Sequence, residues 1–163
     1  IGAPAAETGV AAVSVPDQRW ARRDIKSIAL LGQVLAKQAA RRAGAAEAFM
    51  VEDGFVTEGA SSSVFIVTKA GEIVTRPLSS ALLPGCTRQA VLALARERNM
   101  KLVERPFTVE EAYAAVECFF TSATAFVMPV VSLDGRAIGE GVPGPAARRL
   151  RQLYIEAARA GAQ

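Results

Sequence analysis

Apolar side chains at Ile28, Leu31, Leu35 and Ala39 recur close to every 3.6 residues across 24–43, which predicts a helix stopped by Gly44. The pattern then shortens. β-rich runs at Ala48–Val51, Phe55–Glu58, Ser63–Val67 and Glu72–Arg76 predict strands, with hairpin signals at Asp53-Gly54 and Lys69-Ala70-Gly71. Helical spacing returns after Pro84-Gly85, where Val91, Leu92 and Ala95 line one face of Thr87–Arg98. Lys101–Arg105 predicts a strand, and Thr108-Val109-Glu110-Glu111 has the spacing of a capping box that opens a short helix. Cys118–Thr121 and Phe126–Leu133 read as strands, with Asp134-Gly135 turning into Arg136–Ile138. A loop carrying Gly139, Gly141, Pro143 and Gly144 leads to a final helix over Pro145–Ala160. No internal repeat is found. This order predicts an α/β (mixed α+β) fold, a mixed sheet with flanking helices. Residues 19–163 read as one domain, and 1–18 as a linker or strand arriving from an upstream N-terminal domain.

Composition narrows the function classes. About half of the 163 residues are apolar (51%), enough for a substantial core. The net charge is only +3, from 19 basic and 16 acidic residues spread along the chain. No Lys/Arg block is interleaved with aromatics, so no nucleic-acid partner is expected. No apolar run is long enough to predict a membrane span. The chain has no histidine, which excludes Ser-His and Cys-His catalysis from its own residues. Two distant cysteines, Cys86 and Cys118, are too few for a zinc site; no metal is expected, and both read as small apolar residues of a reducing, cytoplasmic compartment.

Three segments carry candidate chemistry. Lys26 lies among Arg19, Arg22 and Arg23, with apolar Ile25 and Ile28 beside it, a setting that favours the free amine. Taken alone it reads equally as a surface lysine at a helix start. Glu58 ends a β-rich run and is followed by Gly59-Ala60-Ser61-Ser62, residues small enough for a flat ring to approach the backbone. Taken alone it is a strand-end carboxylate in water. Leu83-Pro84-Gly85-Cys86-Thr87 is a turn that delivers backbone N–H groups at a helix start, suited to an anion or to nothing more than a capped helix. A second small-hydroxyl patch, Thr121-Ser122-Ala123-Thr124-Ala125, falls between two strands. An amine, a carboxylate and a helix N-terminus are together the three handles that pyridoxal 5′-phosphate requires.

The ordered set resembles the C-terminal domain of a class IV (fold type IV) pyridoxal-phosphate-dependent aminotransferase, closest to the D-amino acid branch. The matching stretches are Arg19-Trp20 through Asp24-Ile25-Lys26-Ser27, Val34–Gln38, Val56-Thr57-Glu58-Gly59 with Ser61-Ser62, and Leu83–Arg88. They continue with Phe107-Thr108, Phe120-Thr121-Ser122, Met128-Pro129-Val130, Asp134-Gly135 and Gly144-Pro145. The resemblance implies the larger, cofactor-carrying domain of that fold. It implies that Lys26 is the Schiff-base lysine and proton-transfer base, and that Glu58 is the partner of the pyridine nitrogen. Leu83 would support one face of the ring. Cys86 and Thr87 would hold the phosphate, with Ala123 and Thr124 as a second phosphate loop. Arg19 resembles an arginine near the phosphate, and Ser61 and Ser62 resemble small polar residues beside the cofactor. It further implies amino acid and 2-oxo acid substrates, D-alanine foremost, and a homodimer. Ala123 departs from a hydroxyl residue common in the family, and Ala29 from the asparagine common in the D-amino acid branch. Rival readings are a branched-chain aminotransferase, an amine transaminase, a 4-amino-4-deoxychorismate lyase, or a non-catalytic scaffold that lacks its partner domain.

Overall fold

The computed structural model describes residues 4–161. Nine strands form one mixed sheet: β1 (Val10–Pro16), β2 (Glu47–Glu52), β3 (Phe55–Gly59), β4 (Ser63–Val67), β5 (Ile73–Thr75), β6 (Leu102–Glu104), β7 (Glu117–Ser122), β8 (Phe126–Leu133) and β9 (Arg136–Ala137). The spatial order is β3-β2-β1-β8-β7-β4-β5-β6, with β9 paired to β8. Strand β1 runs parallel to both β2 and β8, and β5 parallel to β6; the other pairs are antiparallel. Among the described residues, five helices complete the fold: α1 (Pro4–Thr8), α2 (Leu31–Arg42), α3 (Cys86–Glu97), α4 (Val109–Ala114) and α5 (Pro145–Ala160).

The sheet curls until its two ends meet. Phe55 at the start of β3 bridges to Thr108, just beyond β6, and the Val56 N–H donates to the Phe107 carbonyl at 3.0 Å. Strand alternation then sorts side chains between the inside of the curl and its outer face. Val64, Ile66, Cys118 and Phe120 point inward with Phe49, Val56, Phe107 and Leu133. Phe65, Val67 and Phe119 point outward beneath Val91, Leu92 and Ala95 of α3 and Ala147 and Leu150 of α5. The Phe65 and Phe119 rings stack at 4.9 Å.

Most predicted elements form close to their expected bounds, and turn chemistry explains why. Asp53-Gly54 and Asp134-Gly135 both adopt positive φ at each residue, the backbone a tight hairpin needs. The capping box is made: Glu111 N–H donates to Thr108 Oγ1 at 3.1 Å, and Thr108 N–H to the Glu111 carboxylate at 3.0 Å. Helix α2 departs from expectation. It begins at Leu31 rather than near residue 24, and its buried face is Ala36 and Ala40, not Ile28, Leu31 and Leu35. Ile28 is 99% exposed and Leu31 71%. The chain before it is held out of helix because the Arg23 N–H donates to the Ser80 carbonyl at 2.8 Å and the Arg23 side chain is anchored elsewhere. Residues 10–16, expected as linker or arriving strand, form β1 between β2 and β8.

Helix α5 starts at Gly144-Pro145, where no side chain of its own can cap. The cap comes from β7. Glu117 accepts the N–H groups of Ala146 at 3.0 Å and Ala147 at 2.9 Å. A carboxylate at a helix start satisfies orphan amides and complements the helix dipole. A Cβ on Gly144 would collide with that carboxylate. Glu117→Ala is therefore expected to lower the unfolding free energy by about 2 kcal/mol in urea titrations; an unchanged midpoint would refute the capping role.

Candidate active site

Glu58, Arg19, Leu83 and Ser62 gather around the connection between β3 and β4. Glu58 lies near the end of β3 and is buried. The turn after it closes through the Gly59 N–H, which donates to the Ser62 carbonyl at 2.7 Å. Gly59 has no room for a side chain, since a Cβ would run into Ser62 Oγ. Both Glu58 oxygens accept the Leu83 backbone N–H at 3.2 Å, so the carboxylate and the Leu83 turn are fixed to each other. Arg19 completes the contact, with its Nη1 donating to Glu58 Oε1.

Behind Arg19 stands Asp17, whose side chain has no exposed surface. Arg19 Nε donates to Asp17 Oδ1 at 2.9 Å and Nη2 to Oδ2 at 2.7 Å, a two-point grip. Thr57 Oγ1 donates toward Asp17 Oδ2 at 2.7 Å and the Met50 carbonyl at 3.0 Å. Arg23 approaches Asp17 at 3.5 Å and pairs with both oxygens of Glu52, at 2.8 and 2.6 Å. Burial works against the Asp17 charge, yet the hydrogen bonds from Arg19 and Thr57 outweigh it and hold the carboxyl below its usual range. Glu58 balances the other way: burial pushes its carboxyl above the usual range, and the opposing pull of Arg19 and the Leu83 amide does not cancel that push.

The start of α3 lies at the same end of the sheet. A Cβ on its N-cap, Gly85, would sit 3.4 Å from Ser63 Oγ at the start of β4, and Ser63 pairs across to Thr121 at the end of β7. Gly85 offers no side chain, so the start of α3 has no side-chain cap hydrogen bond. Thr87 is buried in that first turn, and its Oγ1 has no hydrogen-bond partner. Thr121 Oγ1 is likewise buried and unpartnered. Orphaned hydroxyls are uncommon in a folded interior and suit a polar group from outside the chain. Two free hydroxyls and a bare helix start suit an anion, while the buried Glu58 carboxylate suits a cationic N–H. A phosphorylated, protonated pyridine therefore fits the donor set.

Among the described residues, no hydrogen bond or ion pair joins Lys26, Ser61, Cys86, Ala123 or Thr124 to the Glu58 carboxylate. Lys26 occupies the exposed loop between Arg23 and α2, and forms no ion pair among the described residues. Ser62 is buried and donates to Glu47 at 2.9 Å, while Ser61 is exposed. Cys86 is exposed at the first position of α3. Ala123 and Thr124 are exposed in the β7–β8 turn, which the Ala125 N–H closes by donating to Ser122 Oγ at 3.0 Å. Asp17, Thr57 and Glu47 were not singled out in the sequence, and Arg23 was named only as a neighbour of Lys26. Asp17 had one readable signal, an acid two residues before Arg19 at the end of an apolar run.

The family model for amino-transferase class IV matches residues 3–133. The D-alanine aminotransferase of Bacillus licheniformis is 45% identical over 145 residues, covering 89% of this chain and 51% of that protein. That of Staphylococcus haemolyticus is 42% identical over 153 residues, covering 92% and 54%. Among solved structures, the branched-chain amino acid aminotransferase of Escherichia coli superposes with a TM-score of 0.87 at 34% identity, over 95% of this chain and 53% of that one. The Thermobaculum terrenum branched-chain enzyme in its PLP form gives 0.85 at 31%, over 94% and 52%. The chain belongs to the class IV aminotransferase family, and its mixed sheet with flanking helices is that of fold type IV. It spans about half the length of the relatives it matches.

Proposed function

We propose that the protein is a pyridoxal-phosphate-dependent transaminase of the D-amino acid type, exchanging an amino group between D-alanine or a similar amino acid and a 2-oxo acid. The observation that carries this reading is a buried carboxylate held at one end of the sheet where an uncapped helix start carries an orphaned hydroxyl. The choice of branch rests on identity: 41–45% to the D-alanine aminotransferases against 30–34% to the branched-chain enzymes. A branched-chain aminotransferase is the second reading, supported by the close superposition of those structures. Turnover of D-alanine with a 2-oxo acid, and little of L-leucine, is the expected result. Preference for L-leucine would overturn the branch.

In this reading the cofactor, when bound, supplies an electron sink for the bond broken at the substrate's α-carbon. The chain's residues supply the rest. Lys26 is the covalent attachment point and carries the α-proton at Nζ. Glu58 holds the proton on the ring nitrogen and favours charge entering the ring. The backbone amides at Cys86 and Thr87 and the Thr87 hydroxyl would hold the phosphate, with the Ala123–Thr124 turn as a second phosphate loop. Leu83, anchored through its own N–H to Glu58, would support one ring face and Ser61 and Ser62 would border the ring, while Arg19 fixes Glu58. The sheet with β1 included and its helices act as the cofactor-carrying domain, so the boundary expected at residue 19 moves ahead of β1, and groups gripping the substrate carboxylate belong to the other half of the relatives' length. A homodimer accompanies this reading. The exposed run of Trp20, Ile25, Ile28, Leu31, Val34 and Leu35 supports an interface there, and light scattering at twice the subunit mass is expected. The two free cysteines support a cytoplasmic location; no helix of the described residues is long and apolar enough to cross a membrane.

The phosphate seat has its own test. Thr87→Val keeps the shape and removes the hydroxyl, so affinity for pyridoxal phosphate should fall about tenfold, the worth of one hydrogen bond to a charged group. Affinity for pyridoxal, which lacks the phosphate, should barely change. Equal losses for both would refute a phosphate contact.

A further inference from the structure

The buried cluster behind Glu58 has an uneven charge. Within ion-pair distance, three carboxylates (Asp17, Glu52 and Glu58) face two guanidiniums (Arg19 and Arg23). Four of these five side chains are almost wholly enclosed, and only Glu52 is substantially exposed. Arg23 is satisfied by Glu52 at the outer end, where Arg76 also lies near enough to favour the Glu52 charge. Arg19 is shared between Asp17 and Glu58, but unequally. Asp17 takes Nε, one Nη and the Arg19 backbone N–H, while Glu58 has the other Nη alone. Glu58 is thus the less fully paired of the two, and its other hydrogen-bond partner among the described residues is the Leu83 amide.

We propose that Asp17 is a positioning residue that engages the charge of Arg19, leaving Glu58 with an unbalanced negative charge for a protonated pyridine nitrogen. The inference rests on the cofactor reading above. Without Asp17, Arg19 and Glu58 are a closed ion pair of no net charge, and a cation arriving at Glu58 must compete with the guanidinium. With Asp17 present, the arriving cation brings the cluster to neutrality, the favourable condition for charges removed from water. Thr57 serves the same end by fixing the Asp17 carboxylate from β3.

Opposite signs in two substitutions provide the test. The groups facing Glu58 are Arg19 and Asp17, both from the β1–α2 connection, and the Leu83 amide. In the intact protein without added cofactor, labelled with ¹³C-glutamate, the Glu58 carboxyl is assigned by its absence in Glu58→Gln and followed against pH. Asp17→Asn removes a neighbouring anion and should move the Glu58 titration to lower pH. Arg19→Gln removes the cation and should move it to higher pH, and it provides a reading even where Asp17→Asn does not fold. With ¹⁵N-labelled pyridoxal phosphate bound, the ring nitrogen should read as protonated in the parent, shift toward unprotonated in Asp17→Asn, and return in the double variant Asp17→Asn/Arg19→Gln, which restores the charge excess. A merely structural role for Asp17 predicts no such rescue. Glu58 titrations that stay fixed, or that move the same way in both single variants, overturn the proposal. Failure of the protein to take up the cofactor overturns the functional reading but leaves the titration arm to judge Asp17.

Discussion

Lys26→Ala is expected to abolish covalent uptake of pyridoxal phosphate while leaving the fold intact. The two halves of this expectation have separate grounds. Lys26 lies in an exposed loop and forms no ion pair among the described residues, so truncating it removes no buried contact. Surface changes of that kind usually alter stability by less than about 0.5 kcal/mol. Chemically, the chain has no histidine to take over proton transfer. Turnover should fall by roughly 10⁴-fold, the upper end of what a positioned proton-transfer group contributes. The decisive measurement is direct: treatment with cofactor and borohydride should add one reduced cofactor mass to the parent, on the peptide containing Lys26, and none to the variant. An adduct that persists in Lys26→Ala, or maps to Lys37, would remove the lysine from the mechanism.

How far the sequence disclosed this site depends on how local each signal was. Capping boxes, Asp-Gly turns and strand alternation are read over two to five residues, and they formed where expected because the local preference and the fold agree. Helix α2 failed at its start for the converse reason. Ile28, Leu31 and Leu35 have helical spacing, but Arg23 is tied to Asp17, Glu52 and Ser80, and those long-range contacts hold the preceding chain in a loop. An apolar face predicted to pack inward is instead exposed, with only Ala36 and Ala40 against β2. The same distinction governs the site. Glu58 and the Leu83–Thr87 turn were visible because small residues surround them. Asp17 was not, because its role depends on where β1 ends relative to β3, a register that no local pattern encodes. The Thr87 hydroxyl could be named from the sequence as a phosphate donor; that it has no partner within the protein is knowable only from packing.

Glu58→Gln should separate catalysis from folding more sharply than any other change. The substitution keeps the shape and the hydrogen-bonding length of the side chain but removes its charge. Glutamine can still accept the Leu83 amide, so the Leu83 turn should stay in place. What it cannot do is keep a proton on a pyridine nitrogen, and this interaction gains strength as charge enters the ring. Turnover should therefore drop by roughly 10²–10³-fold, comparable to losing one preorganised electrostatic contact, while the Kd for the cofactor changes far less because the phosphate seat is untouched. Stability should move in the opposite sense. Burial raises the Glu58 carboxyl above its ordinary value of 4.5, so the folded state holds that proton more tightly than the unfolded chain. The stability this provides is fully present below about pH 4.5 and is lost as the pH rises through the folded value. Glutamine removes that penalty, so above pH 4.5 the cofactor-free variant should gain stability relative to the parent, read as a rising difference in Tm across a pH series. Near-parental turnover would show that Glu58 is an ordinary buried acid rather than the charged partner of the cofactor, and a relative Tm that falls with pH would show that its carboxyl is held below, not above, its ordinary range.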